Sequence, residues 1–320
     1  MTDTTGTLGG TAKRRSLGFL LLAATLLMWG SLPLQLKILI ARIDPITLTW
    51  YRFTGALILL AVFGGPSCVR NLREEGSRRV WLLLLLCGVG LTANYLLYLK
   101  GLDNLTPSTA QVVMQTVPFM VLAGGILIFH ESFAGRQWWG VLFLVLGSGL
   151  FFNQKLHQIQ LGSSLVTGIG YILLSAVCWT TFILAQKALL RVLKSRTIML
   201  CCYVTGCVIL GPQAAIGTIL DLTSTFLILI LSATLIAVIS YLAFSTAMRH
   251  VPATTAGLTI ANIPLITLLC MFIFGGTIEH LTAENLNTLA VIGACLVVIG
   301  SAFGASGPAS KKQNIPLLPD

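Results

Sequence analysis

Charge is scarce in this 320-residue chain, where 9% of residues are charged and Asp and Glu together number 10. A soluble globular domain carries about a quarter charged residues, so that class is excluded. Asp44, Glu131, Asp221, Glu279 and Glu284 all fall at the ends of apolar runs or between them. No carboxylate is left at membrane depth for a proton relay, and facilitated diffusion or exchange is expected rather than obligatory proton antiport. The 8 cysteines include no C-x-x-C pair and lie mostly inside apolar runs, so neither a disulfide framework nor a zinc site follows. A phosphate cradle of the form G-x-x-x-x-G-K-[ST] is missing, which excludes ATP hydrolysis by that route. The histidines at 130, 157, 250 and 280 stand outside the apolar runs, and His130-Glu131 is not part of an H-E-x-x-H pair. No metal or cofactor is therefore expected. An intramembrane enzyme would need paired catalytic groups at one depth, and a channel would need a selectivity ring; neither pattern is present.

What the chain does have is apolar length: 56% of its residues are hydrophobic and the mean hydropathy is +0.90. An α-helix needs about 20 apolar residues to cross ~30 Å of hydrocarbon. Runs of that kind occupy 17–40, 44–63, 80–101, 106–128, 137–153, 164–186, 197–219, 225–248, 253–275 and 286–304. The expected fold is an all-α integral membrane protein of ten transmembrane helices, with tails at 1–16 and 305–320. The longest connection, 64–79, is too short to bury a core of its own.

The 20 Lys+Arg are placed unevenly. With a cytoplasmic N-terminus, fourteen of them fall on the inner side, and only Arg42, Lys100 and Lys155 lie in outer loops. This asymmetry puts both termini in the cytoplasm and accounts for the net charge of +10 without nucleic acid. Lys13-Arg14-Arg15 precedes a long apolar run with no small-residue cleavage site, as in an uncleaved first helix. Trp81, Trp138 and Trp139 fall at span ends, where amphipathic rings anchor at the interface.

The two halves repeat each other. Trp29–Lys37 reads WGSLPLQLK and Trp179–Lys187 reads WTTFILAQK. Asn94–Pro118 aligns without a gap on Ser240–Pro264 at an offset of 146, with Tyr95, Leu96, Thr109, Ala110 and Pro118 matched by identical residues. Gly140 and Gly147 match Gly293 and Gly300, and these glycines should let the fifth and tenth spans pack closely, against each other or at a dimer contact. The repeats cover 17–153 and 164–304 with five spans each. Five is odd, so the second half enters the membrane in the opposite sense, an arrangement that places a transporter's substrate near the midplane.

Candidate site residues follow from polarity and aromaticity at that depth. Pro33 should break or kink the first span, and Pro118 and Pro264 sit mid-span at matched positions as candidate flexing points or static kinks. Gln111, Gln115 and Pro118 share one helix face; substrate contact is favoured there over bonding between helices, with Asn262 and Thr259 as weaker cases. Asn94, Tyr95 and Tyr98, their counterparts Ser240, Tyr241 and Phe244, and the pair Trp29 and Trp179 supply aromatic walls for a shared cavity. Arg52 lies seven residues past Pro45, ~10 Å below the outer surface at ~1.5 Å per residue. It either holds a substrate carboxylate or bonds helix-end carbonyls or Asp44, with the structural role placed first. Lys37 and Lys187 end their helices, as snorkelling side chains do.

The WGS with Pro33 and Lys37, Asp44-Pro45, Tyr51-Arg52-Phe53, the mid-helix Pro118, Glu131 and the glycine-spaced fifth span together resemble the EamA family of the drug/metabolite transporter superfamily. The resemblance covers about residues 16–305. It implies a ten-helix, multi-pass permease of the plasma or inner membrane, moving small organic solutes, often amino acids or related metabolites, frequently outward. It implies no enzymatic activity, no nucleic acid and no cofactor, with the lipid bilayer and a small-molecule substrate as partners and a monomer or homodimer as the assembly. The second half departs from the pattern, since Cys202 stands opposite Arg52 and Ile183 opposite Pro33. A broad-specificity exporter of drugs or organic cations is the alternative, and it lacks the transport carboxylate many such exporters use.

Overall fold

The computed structural model describes residues 5–129, 135–154, 162–247 and 261–305. Glu131, His130, His157, His250, Lys155, Thr255, Ala256, Gly257 and Thr259 lie outside the described residues.

Within that range the chain is helical: α1 (Thr5–Ile40), α2 (Pro45–Glu75), α3 (Arg78–Asn104), α4 (Pro107–Met114), α5 (Val117–Phe129), α6 (Arg136–Phe151), α7 (Ser164–Leu189), α8 (Ser195–Leu210), α9 (Ser224–Ala247), α10 (Ile263–Phe274) and α11 (Thr288–Ala305). Among the described residues, 7 helical stretches are long and apolar enough to cross a membrane, with α4 and α5 counted as one from Pro107 to Ile128. Ile263–Phe274 and Thr288–Phe303 are apolar but shorter. Large apolar side chains stand on the outside, among them Val62, Phe63, Leu127 and Phe272 at 73%, 75%, 76% and 87% exposure. So much contiguous apolar surface marks a face covered by lipid.

Two expected boundaries move. The second run ends at 63 and 64–79 reads as a connection, yet α2 continues to Glu75 through Gly64-Gly65-Pro66 and only Gly76 and Ser77 separate it from α3. The extension is tied to α8. Arg196 lies against Gly64 and donates from Nη1 to the Phe63 carbonyl (3.1 Å), just ahead of the proline. Asn71 Oδ1 accepts from Lys194 N (3.0 Å) and Thr197 Oγ1 (3.0 Å), capping a helix whose own N-cap residue has no capping side chain. Conversely, the run 197–219 stops being α-helical at Leu210, where Gly211-Pro212 opens two short 3₁₀ turns, Gly211–Gln213 and Ile216–Asp221. Thr47 Oγ1 accepts from Ala215 N (2.9 Å), and Tyr51 Oη accepts from Ile219 N (2.9 Å) while donating to the Ile216 carbonyl (2.8 Å). The connection is thereby fastened to the first turns of α2.

The halves interleave instead of forming separate bundles. The principal pairings are α3 with α7, α6 with α11, α1 with α9 and α2 with α8, each joining one half to the other. Exchanging the halves turns α3–α7 into α9–α1 and leaves α2–α8 and α6–α11 in place. The main core cluster lies between α2, α3, α7 and α8, with Phe53, Cys87, Leu91, Phe182, Leu189 and Cys202 all at 1% exposure or less. At the α6–α11 seam, a Cβ on Gly147 would lie 2.7 Å from the Gly293 carbonyl oxygen, and one on Gly300 would lie 2.7 Å from that of Gly140. The four repeat-matched glycines thus face each other reciprocally and let two backbones touch.

Candidate transport site

The fourth span breaks where Pro118 withholds an N–H. α4 ends at Met114 and α5 begins at Val117. Between them Gln115 N and Thr116 N bond back only three residues, to Val112 O (3.2 Å) and Val113 O (3.1 Å). The matched position 146 residues on, Asn262, is the N-cap of α10, with Pro264 in its first turn. There Leu265 N bonds the Asn262 carbonyl (3.1 Å), so the Ala261 carbonyl loses its usual partner in the helix. Gln115 supplies the replacement: its Nε2 donates to Ala261 O (3.0 Å), and its Oε1 accepts from Ser301 Oγ (2.7 Å). Residues 115 and 261 are themselves repeat-matched, so the two breaks meet at one buried amide.

Of the break or kink expected at Pro33, the break is not seen. α1 runs unbroken from Thr5 to Ile40 through a buried Pro33. The loosened turn is supported from outside: Thr267 Oγ1 of α10 donates to Gly30 O (2.7 Å), while Ser31 Oγ donates to Met28 O (3.2 Å) within α1. The carbonyl that Pro33 leaves without its donor is that of Trp29; the external hydroxyl supports the next carbonyl along, in the same loosened turn.

Asn94 is buried against α7, where its Nδ2 donates to Ser175 Oγ (2.8 Å) and Ser175 O (3.1 Å), and Ser175 Oγ returns a bond to Asn94 O (3.1 Å). The exchange-related pair is weaker, Thr25 Oγ1 to Ser240 O at 3.5 Å. The aromatic residues gather between the halves. Trp29 packs on Tyr241 and Phe244 with ring centres 6.3 and 5.6 Å apart, and Trp179 stacks on Phe182 at 4.9 Å. Tyr241 Oη donates to Gln186 Oε1 (3.2 Å), and Gln111 Nε2 donates to Tyr98 Oη (3.2 Å). Trp29, Tyr95, Tyr98, Gln111, Trp179, Gln186 and Tyr241 are all half-buried although they sit among packed helices.

Arg52 is 3% exposed. Its guanidinium carbon lies 4.8 Å from the centre of the Tyr95 ring, and its Nε and Nη2 have no hydrogen-bond partner. Asp44 serves its own helix, Oδ1 accepting from Ile46 N (3.0 Å) and Thr47 N (3.0 Å). Lys37 is used within the protein, its Nζ donating to Leu102 O (2.7 Å) and Asp103 O (2.9 Å) at the C-terminal end of α3. Lys187 is exposed. Ser175, Gln186, Thr267 and Ser301 were missed as site-shaping residues in the sequence. Two of them had a signal in the repeat: Ser175 matches Thr25 at the 150-residue offset that relates Trp29 to Trp179, and Ser301 matches Ser148 at the 153-residue offset that relates Gly147 to Gly300.

The pattern of the EamA-like transporter family matches residues 16–153 and, a second time, residues 166–304. The chain belongs to that family. This EamA protein is a multi-pass membrane transporter. It is 32% identical over 298 residues to an uncharacterized transporter of Haemophilus influenzae, covering 91% of this chain and 95% of that one. It is 30% identical over 302 residues to the uncharacterized inner membrane transporter YhbE of Escherichia coli, covering 92% and 93%. A solved crystal structure at 18% identity superposes with a TM-score of 0.62 over 91% of this chain and 96% of the other, a likeness of fold alone.

Proposed function

We propose that this EamA transporter is a secondary carrier of ten spans in two inverted repeats. It resides in the inner membrane with both termini in the cytoplasm and moves small organic metabolites, amino acids or related solutes, outward by alternating access. The observation that carries this reading is the meeting of two broken helices at repeat-matched points, Gln115 on Ala261, beside half-buried aromatic side chains from both halves. Discontinuous helices at a repeat interface expose helix ends and leave space for a solute. Pro118 and Pro264 then act as the points about which each half-helix moves. Trp29, Tyr95, Tyr98, Gln111, Trp179, Tyr241 and Asn262 line the solute's path, while Asn94 and Gln115 hold its walls together. No resident cofactor takes part, and the unit is a monomer or homodimer.

The test is counterflow. Proteoliposomes preloaded with unlabelled amino acids should transiently accumulate the same labelled mixture, and a Trp29→Ala/Gln115→Ala variant should lose the overshoot. Folded protein without an overshoot removes the amino-acid class. If nucleobases, vitamins and organic cations fail as well, the carrier reading falls with it.

A further inference from the structure

We propose that Arg52 is the anchor for a carboxylate on the transported solute, so that the carrier takes small amphipathic carboxylates in preference to neutral or cationic compounds. This rests on the carrier reading above and names its substrate class.

A guanidinium ~10 Å inside the membrane is costly and needs compensation. Among the described residues no carboxylate forms an ion pair with Arg52, Asp44 caps its own helix, and the nearest ionisable side chains are Tyr95, Tyr203 and Tyr98. Tyr95, its ring centre 4.8 Å away, supplies part of the compensation through a cation–π contact. The two nitrogens left without a partner, Nε and Nη2, carry the parallel N–H bonds of the side-on fork that holds a carboxylate in bidentate fashion. The solute's body has a place as well. Tyr95 and Tyr98 are half-buried, and Tyr98 Oη already carries a polar neighbour in Gln111 at 3.2 Å. Aromatic faces beside a single cation fit a molecule with one acid and an apolar or aromatic remainder. The second half has Cys202 at the matched position, so the repeat does not duplicate this anchor.

Two measurements on the purified full chain decide this. In the first, melting is followed in detergent for wild type, Arg52→Met and Arg52→Gln. Removing a cation that lacks a partner raises the melting temperature, whereas removing a structural cation lowers it, and a lowered value in both variants overturns the proposal. In the second, 3-phenylpropionate and phenylalanine are compared with their primary amides as ligands that raise the wild-type melting temperature. The acids should act at about tenfold lower concentration than the amides, and Arg52→Gln should abolish that difference while Arg52→Lys keeps part of it. Acids and amides acting alike in wild type, or not at all, overturn the proposal, and this arm needs no variant to fold. Counterflow separates the two readings: exchange of acids and amides alike keeps the carrier and loses the anchor. Acid-selective binding without any counterflow keeps the anchor and loses the carrier.

Discussion

The α6–α11 seam and the centre of the molecule are built from the same repeat but treat it in opposite ways. At the seam the symmetry is kept: Gly140 faces Gly300, Gly147 faces Gly293, and each pair maps onto the other when the halves are exchanged. At the centre it is lost: Arg52 is matched by Cys202, Tyr98 by Phe244, Pro33 by Ile183, and the three-bond Asn94–Ser175 clasp by a single 3.5 Å contact from Thr25 to Ser240. Packing between backbones leaves little freedom to diverge, because a Cβ at Gly147, Gly293 or Gly300 meets main chain. Contacts made through side chains can diverge without moving the backbone.

The seam can be broken outright. Gly147→Leu or Gly293→Leu puts a branched side chain where even a Cβ would approach backbone within 2.7 and 2.4 Å, and no flexible side chain can yield there. Overpacking a core costs about 1–3 kcal/mol where side chains can move, and these sites should exceed it. Neither variant should elute as monodisperse protein from a sizing column. By contrast Gly149→Leu, in the same helix with open space around its Cβ, should behave as wild type.

The two interhelical clasps sharpen the comparison at the next level. Asn94→Leu removes both bonds that Nδ2 donates to Ser175 and leaves the Ser175 hydroxyl only its bond to the main-chain carbonyl of residue 94, a loss of about 1–3 kcal/mol. Ser240→Ala should cost under about 0.5 kcal/mol, because the Ser240 hydroxyl is buried without a partner and only its carbonyl is used. Melting in detergent would order the variants, and equal losses would mean that the central asymmetry carries no energy. A smaller effect, on rate, belongs to the broken helices. Pro118→Ala restores an N–H at one break and Pro264→Ala at the other, and each should slow counterflow several-fold, about 1 kcal/mol in the barrier, without abolishing solute binding. Unchanged counterflow in both would remove the flexing role.

The repeat made much of this legible in advance. The 146-residue offset located both breaks, and the glycine spacing located the seam. Sequence was weaker wherever one side chain answers a distant one. Gln115 and Asn94 read as solute ligands because amides are rare in hydrocarbon, whereas their bonds to Ala261 O, Ser301 and Ser175 could not be read, since such small partners leave no signature of the pairing. Residues 64–79 read as a connection because the rescue of Gly64-Gly65-Pro66 by Arg196 and Asn71 comes from contacts more than a hundred residues away. Lys37 reads as a snorkelling residue until the end of α3 arrives to receive it. Among the described residues, seven of the ten spans read from hydropathy meet the length and apolarity of a crossing helix, while Ile263–Phe274 and Thr288–Phe303 are apolar but shorter.

The smallest predicted effect tests whether the departures from symmetry are linked. Thr267 of α10 supports Gly30 of α1, three residues before Pro33. In the matched arrangement position 121 of α5, a helix packed on α7, is valine, while on α7 Ile183 replaces the proline and Thr180 bonds its own helix at Ala176 O (2.8 Å). A hydroxyl is therefore present only where a proline has loosened the helix opposite. Thr267→Val gives the second half what the first half has at 121, and should cost about 0.6 kcal/mol, the usual worth of one hydrogen bond between membrane helices. In a Pro33→Leu background the restored N–H closes the bond to Trp29 O and tightens the turn on which Gly30 O sits, so the same substitution should cost less. A double-mutant cycle on melting temperature reads the difference. Coupling between 33 and 267 would show the two exceptions to the repeat to be one structural device; strict additivity would show them to be independent.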